Sequence, residues 1–310
     1  MIYTVTLNPA LDKTVEILSF TVDSVNRITQ MRTDPGGKGI NVSKVIGKLG
    51  SKSIATGILG GATGRAIQSA LENMGLESSF HFAEGETRTN LKVVDPACHT
   101  NTDINEPGLT VSEDLLNNLL NELLAKLGGE DIVVLSGSLP KGAPKNTYYT
   151  WVKACRETKA KVILDADGEL LKAGLEAGPY LIKPNNHELS GLLGEKLETP
   201  KELERAARSL MDQYGIAKIV VSMGGEGALY VTGDATVYAE GLKVPVGSTV
   251  GAGDSVVAAL AVAEEAGMSL EEAVRLSTAT GAANVMCSGT QAAEYEVIEG
   301  LIPKVVFHNL

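Results

Sequence analysis

Three cysteines in 310 residues (Cys98, Cys155 and Cys287) leave little for disulfide or metal chemistry to use. Their number is odd and no CxxC or Cys/His spacing joins them, which argues against a disulfide framework and a zinc site. Aromatic residues are as sparse, at 4%, so the core of a chain with 44% hydrophobic residues must be mainly aliphatic. No dense Lys/Arg cluster interrupts a net charge of −11, so no nucleic-acid partner is expected. No apolar run approaches the ~18 residues of a membrane span. The start, Met1-Ile2-Tyr3-Thr4, has no basic n-region. These absences predict a soluble, cytoplasmic protein with no membrane partner. An anionic ligand would have to be held by a few local cations.

Glycine, by contrast, is abundant, with 34 residues, and it gathers just ahead of helices. The chain is organised around Ser248-Thr249-Val250-Gly251-Ala252-Gly253-Asp254-Ser255. A β-like segment, Leu242 to Val246, precedes it, and the small apolar residues Val256 to Ala263 follow, so the stretch predicts strand, glycine loop and a helix opening near Asp254. Gly251 and Gly253 lack Cβ, so backbone N–H groups there can approach an anion, and the positive end of the following helix adds to the attraction. Asp254 puts one carboxylate beside this anion hole, where it could accept a proton from an attacking hydroxyl. Taken alone, the stretch reads equally well as an Asp N-cap after a glycine turn.

The rest of the chain alternates strand and helix. Ile2 to Leu7 is a buried strand ending at Asn8-Pro9, with Asp12 on the exit loop. Asp34-Pro35-Gly36-Gly37-Lys38-Gly39-Ile40-Asn41 is a second glycine loop before a helix marked by Val42, Val45, Ile46 and Leu49, and its Lys is not in Walker spacing. Residues 14–33 and 88–104 alternate polar with apolar and predict a small side sheet, with Arg88, Asn90 and Lys92 on one face. For those polar residues a solvated face is the default. Thr110 with Glu113, and Ser269 with Glu272, predict capping boxes. Polar or glycine residues recur just past strand ends at Asp12, Ser138, Asp165, Asn185 and Gly224, the edge where open α/β sheets bind ligands. No GxGxxG follows the first strand, which argues against a dinucleotide oxidoreductase.

At these residues the chain resembles the ribokinase-like (PfkB-type) sugar kinases over essentially its whole length. The specific motifs are Gly36-Gly37-Lys38-Gly39-Ile40-Asn41-Val42 and Thr249-Val250-Gly251-Ala252-Gly253-Asp254-Ser255. Thr6 to Asp12, Gly85 to Asn90, Ser136 to Pro140 and Lys183-Pro184-Asn185 are similar to the branch acting on phosphorylated ketohexoses. The resemblance implies a three-layer α/β/α sandwich spanning residues 1–310, with a small β-sheet lid at about 12–35 and 87–106. It implies ATP as donor, Mg²⁺, and a homodimer formed lid to lid. The acceptor implied is fructose 1-phosphate, with tagatose 6-phosphate as the alternative; a non-catalytic sugar-phosphate sensor would not need the Gly-x-Gly-Asp motif. By position, Asp254 would be the base, with the amides of Gly251, Ala252, Gly253 and Asp254 as the anion hole. Asp12 and Asn41 would hold sugar hydroxyls. Gly37, Lys38, Arg88, Asn90 and Ser138 would meet the acceptor's phosphate or neighbouring oxygens. Asn185 and Glu188 would order water around Mg²⁺ and Lys183 would neutralise the ATP phosphates. Ser222, Gly224, Gly227, Thr249 and Asn284 would frame the nucleotide. Some members of the family bind K⁺ near the loop that carries Asp254.

Overall fold

A computed structural model describes residues 1–310. The chain begins with β1 (Ile2–Thr6), β2 (Ala10–Glu16), β3 (Gln30–Gly36), α1 (Lys38–Lys48), β4 (Ser53–Gly60), α2 (Gly61–Asn73) and β5 (Glu77–Ala83). It continues through β6 (Arg88–Asp95), β7 (Thr100–Asn105), α3 (Glu113–Leu124), β8 (Ile132–Ser136), α4 (Thr147–Glu157), β9 (Lys161–Asp165), α5 (Gly168–Leu175) and β10 (Leu181–Ile182). The last part comprises α6 (Asn186–Leu193), α7 (Pro200–Tyr214), β11 (Lys218–Ser222), β12 (Gly227–Thr232), β13 (Thr236–Glu240), α8 (Ala252–Glu265), α9 (Leu270–Val285), α10 (Tyr295–Leu301) and β14 (Phe307–Asn309).

Ten strands form one sheet in the order β14-β13-β12-β11-β10-β9-β8-β1-β4-β5. From β5 to β11 the pairs are parallel, and β12, β13 and β14 extend the sheet antiparallel. Strands buried on both faces read as continuous apolar runs, as in Ile132-Val133-Val134-Leu135 of β8, which is fully buried. One face packs against α3, α4, α5 and α7, with Leu116, Leu119, Trp151 and Leu203 in its core. The other packs against α1, α8 and α9, where Val257 to Ala263 bury small side chains that let helix backbones approach. This is the three-layer α/β architecture expected. No helix is long and apolar enough to cross a membrane.

A separate four-stranded sheet, β3-β2-β6-β7, stands at the carboxyl edge of the large one. The two expected hairpins are present, joined by a parallel β2–β6 pairing. Asp12 is not on a loop: the chain re-enters a strand at Ala10, and Asp12 pairs in register with Asp34 of β3. Pro35 can lie in β3 because that strand is at the sheet edge, where a missing N–H breaks no ladder.

Three local expectations change. Residues 242–246 form no strand, because Pro245 lacks a donor and the next amides, Gly247 and Ser248, donate to Val285 O at the end of α9. Helix α8 opens at Ala252 with Gly251 as its N-cap, so Asp254 lies inside the first turn and caps nothing. Helix α3 is capped by Ser112, whose hydroxyl accepts from Leu115 N, while Thr110 is held in a bridge with Lys141. The Ser269–Glu272 capping box on α9 is present with both hydrogen bonds.

Candidate active site

The first turns of α1 and α8 meet across the carboxyl ends of β1, β8 and β9. Asp254 is 7% exposed and accepts a hydrogen bond from Asn41 Nδ2 at 2.8 Å, so each helix contributes one member of the pair. Gly251 adopts φ +81°, a left-handed conformation that favours glycine, and this turns the chain into α8. In that first turn the amides of Gly253 and Asp254 have no helical carbonyl behind them. Lys183 flanks the turn: its Nζ lies 3.3 Å from where a Cβ on Gly253 would stand.

Behind this pair, buried Asp165 faces two cations. Lys38 Nζ is 3.4 Å from Oδ2 and Lys183 Nζ is 3.7 Å from Oδ1. Burial raises the Asp254 carboxyl to about 6, Asp165 repels its charge further, and Lys38, Asn41 and Lys183 pull the other way. Burial would lower the Lys38 ammonium, but Asp165, Asp254 and Glu188 outweigh it and raise it instead. A base tuned towards neutrality beside an ammonium held charged is suited to proton acceptance next to an anion.

The cleft opening from Asp254 has a volume of about 510 Å³, and of its 22 lining residues only Leu91 and Val250 are hydrophobic. Asp12, Gly37, Lys38, Asn41, Arg88, Asn90, Ser138 and Gly251 all line it together with Asp254. Asp12 Oδ1 accepts from Asn90 Nδ2 at 3.0 Å, and burial pushes its carboxyl up despite that bond and the nearby Lys44 and Arg88. Arg88 donates to Asn8 O at 3.0 Å and lies at 3.4 Å from Pro9 O and Glu106 O. Ser138 Oγ accepts from Asn8 Nδ2 at 3.2 Å. The buried oxygens Asn41 Oδ1 and Asn90 Oδ1 have no hydrogen-bond partner, which is costly unless a ligand supplies one.

None of the residues expected around a nucleotide, Lys183, Ser222, Gly224, Gly227, Thr249 and Asn284, lines this cleft. Asn185 and Glu188 form a reciprocal capping box on α6: Glu188 Oε2 accepts from Asn185 N and Asn185 Oδ1 from Glu188 N, both at 2.8 Å. The box fixes the carboxylate while Oε1 takes no part in it. Ser222 is bridged to Asn185, its amide donating to Pro184 O at 3.0 Å. Gly224 is exposed with open space around its Cβ position, so a ligand could approach its backbone. Gly227 has a different reason to be glycine: at φ +117° a Cβ would stand 1.9 Å from Ala239 O of β13. Ala252 and Gly253 are half-buried and Thr249 is exposed. Asn284 is 2% exposed, with its Nδ2 3.3 Å from the Cβ position of Gly251.

Sequence reasoning missed part of the cleft. Lys92, Asp103 and Asn105 line it rather than facing solvent alone. Their signal was the period of two, since Lys92 shares a face with Arg88 and Asn90 and pairs in register with Asp103. Asp165 as the shared partner of two lysines, Thr290 in the cleft wall and buried Lys44 gave no local signal, because each matters through contacts far away in sequence.

A carboxylate at a helix N-terminus, opposed by an asparagine and backed by two lysines, on a polar cleft beneath a small sheet, defines a phosphotransferase of the α/β type acting on a polar acceptor. The profile of the pfkB family of carbohydrate kinases matches residues 5–296, and the chain belongs to that family. It is 38% identical over 305 residues to the 1-phosphofructokinase of Bacillus subtilis strain 168, covering 98% of both chains. Over 281 residues it is 40% identical to the 1-phosphofructokinase of Rhodobacter capsulatus, covering 90% of this chain and 88% of the relative. Among solved structures it is similar to Escherichia coli phosphofructokinase-2 in complex with fructose-6-phosphate, with 32% identity, a TM-score of 0.92 and 98% of both chains covered. The same E. coli enzyme has been solved in complex with potassium and in a tetrameric inhibited form.

Proposed function

We propose that this chain transfers the γ-phosphoryl group of ATP to fructose 1-phosphate, giving fructose 1,6-bisphosphate and ADP. The observation that carries the chemistry is the buried Asp254–Asn41 pair, set between unpartnered first-turn amides of α8 and the Lys38–Asp165–Lys183 cluster. The acceptor hydroxyl's oxygen forms the new bond to phosphorus, the bond from phosphorus to the β–γ bridging oxygen breaks, and the hydroxyl proton passes to Asp254. Positioning and charge stabilisation matter more than basicity in such a loose transition state, so a carboxylate at a helix N-terminus is sufficient. The amides of Gly253 and Asp254 and the two lysines face the charge that develops on the transferred group. Asp12, Asn41 and Asn90 supply acceptors and donors for sugar hydroxyls. Tagatose 6-phosphate, a ketohexose phosphate of similar size, is the runner-up acceptor.

The ATP site runs from Lys183 through Ser222 and Gly224 to Thr249 and Asn284. Asn185 and Glu188 offer the hard oxygen donors that Mg²⁺ prefers, and the capping box holds them rigidly, so they would hold the ion through its waters. When bound, Mg²⁺ supplies positive charge at the phosphates. The small sheet and its β2–β3 loop would act as a lid and as the contact between two copies: in the loop Val22 is 83% exposed and Val25 82%, and on the strands Met31 is 59% and Ile104 52% exposed. A small sheet with an uncovered apolar face gains by pairing. Three free thiols suit the reducing cytoplasm, where ATP is at hand.

Arg88 tests the acceptor's phosphate. It lines the cleft on the lid sheet, and an arginine grips a phosphate with two parallel hydrogen bonds. Arg88→Ala is expected to lower kcat/KM for fructose 1-phosphate by about 2 kcal/mol or more, leaving the KM for ATP little changed. An equal loss with free fructose would assign Arg88 to holding the Asn8–Pro9 turn instead.

A further inference from the structure

Below the cleft lies a buried cation that the reaction as described does not use. Lys44 of α1 is 7% exposed, and its Nζ donates to two backbone carbonyls, Pro35 O and Thr290 O, each at 2.9 Å. Burying an ammonium on neutral acceptors is costly. The two carbonyls belong to opposite walls of the site. Pro35 is in β3 next to Gly36, which passes so close to Asp12 that a Cβ there would stand 2.1 Å from Oδ2. Thr290 lines the cleft, and its Cα is 3.9 Å from the Cβ position of Gly251 in the transfer loop. Its own Oγ1 is buried with no partner.

A second tie joins the same two segments. Arg32 of β3 donates to Ser288 O at 2.9 Å, oriented by Asp34, which accepts from its Nε at 2.7 Å. Gly289 lies between the two anchor points at φ +62°, and a Cβ there would stand 2.2 Å from the Arg32 guanidinium. The loop is therefore held at 288 and 290 by side chains from β3 and α1, on either side of a residue with no side chain to push them away.

We propose that Lys44 and Arg32 are positioning residues that fasten β3 to residues 288–290 and so set the spacing between Asp12 on the acceptor wall and the transfer loop at Gly251. This rests on the reading of the cleft given above. Neither residue touches a reacting atom; they hold the acceptor hydroxyl in line with the phosphoryl group. A misplacement of about 1 Å can cost 10²-fold in rate, and a gap left between acceptor and donor admits water as a competing acceptor.

The test is Lys44→Met, Lys44→Arg and Arg32→Ala in the full chain, with fructose 1-phosphate and ATP as probes. Five quantities are read: kcat, the two KM values, the ratio of ADP released to bisphosphate formed, and the thermal midpoint. Lys44→Met is expected to lower kcat at least tenfold, to raise the ADP-to-product ratio above one, and to change the KM for ATP less than twofold. Lys44→Arg, which keeps the donors, is expected to recover most of both. Arg32→Ala, at a side chain 30% exposed, is expected to give a smaller uncoupling in the same direction. A folded Lys44→Met with wild-type kcat and a ratio of one would overturn the proposal, as would a Lys44→Arg no better than Met. If Lys44→Met does not fold, Arg32→Ala decides: uncoupling supports the fastening, and wild-type kcat and ratio overturn it. A wild type that ignores fructose 1-phosphate would refute the substrate reading alone; the same ratios would then be read with the acceptor it does use.

Discussion

Asp254 carries a stability penalty that its reaction can use. In the unfolded chain its carboxyl has an ordinary pKa near 3.8, while in the fold burial and Asp165 raise it to about 6. Folding therefore takes up a proton between these values. No penalty exists below the unfolded pKa; it grows as pH rises through the window and is complete above about 6, where it is on the order of 3 kcal/mol. Asp254→Asn can keep the contact with Asn41 by turning its amide oxygen towards Nδ2. It should lose about 10²–10⁴ in kcat, the share of a positioned base. It should also be more stable than the wild type to denaturant at pH 7.5, with the gain shrinking towards pH 4. Near-normal turnover would refute the base assignment, and an equal stability difference at both pH values would refute the electrostatic one. In the wild type, kcat should fall as pH drops through about 6.

Among the elements, the turn from β10 into α6 shows how one motif serves structure and chemistry together. Asn185 and Glu188 form a complete capping box, which alone would explain both residues. Glu188→Gln separates the two roles, because its amide oxygen can still accept from Asn185 N while the negative charge is gone. The helix should stay capped, and the Mg²⁺ concentration for half-maximal rate should rise several-fold, as when a group orienting a metal's surroundings is removed. A superimposable Mg²⁺ titration would leave Glu188 as a cap only.

The same elements show what was legible in the sequence. Helix α1 was readable from Val42, Val45, Ile46 and Leu49, and the loops before α1 and α8 from their glycines, because these signals are local and periodic. The segment 242–246 misleads, since its apolar alternation does not show that Pro245 interrupts it or that the amides just after it, Gly247 and Ser248, are tied to Val285 O of a distant helix. Asp12, Asn41 and Asp254 could be named through motifs. That Asp254 bonds Asn41, and that Asp165 serves two lysines, needed the sheet that brings residues 38, 165, 183 and 254 together. Lys92 reads as solvated in the sequence because a strand's polar face does not reveal whether it meets open water or a cleft.

For the whole molecule, the small sheet poses the question of assembly. Its edge strands β3 and β7, the exposed Met31 on β3 and the exposed Val22 on the β2–β3 loop would be a liability in isolation. Two copies meeting lid to lid would cover them and stiffen the roof of both clefts. Light scattering at micromolar concentration should give a dimer, and Val22→Asp combined with Met31→Asp should shift it towards monomer and raise the KM for the acceptor more than that for ATP. A wild-type monomer would remove the lid-to-lid contact and leave the lid itself in place.

With a net charge of −11, the chain sets three cations, Lys38, Arg88 and Lys92, in one polar cleft beside Asp12, Asp103, Asp167 and Asp254, so an anionic acceptor would be held by those three side chains and not by the field of the cleft as a whole. The direct test is the initial rate of ADP formation with saturating ATP and Mg²⁺ over fructose 1-phosphate, tagatose 6-phosphate, fructose 6-phosphate and free fructose, with each product identified by phosphorus NMR. The account predicts the highest kcat/KM for fructose 1-phosphate, a product phosphorylated at both C1 and C6, and free fructose slower by at least a hundredfold. Free fructose turned over as well as any sugar phosphate would contradict it, and a preference for tagatose 6-phosphate would move the assignment to the runner-up.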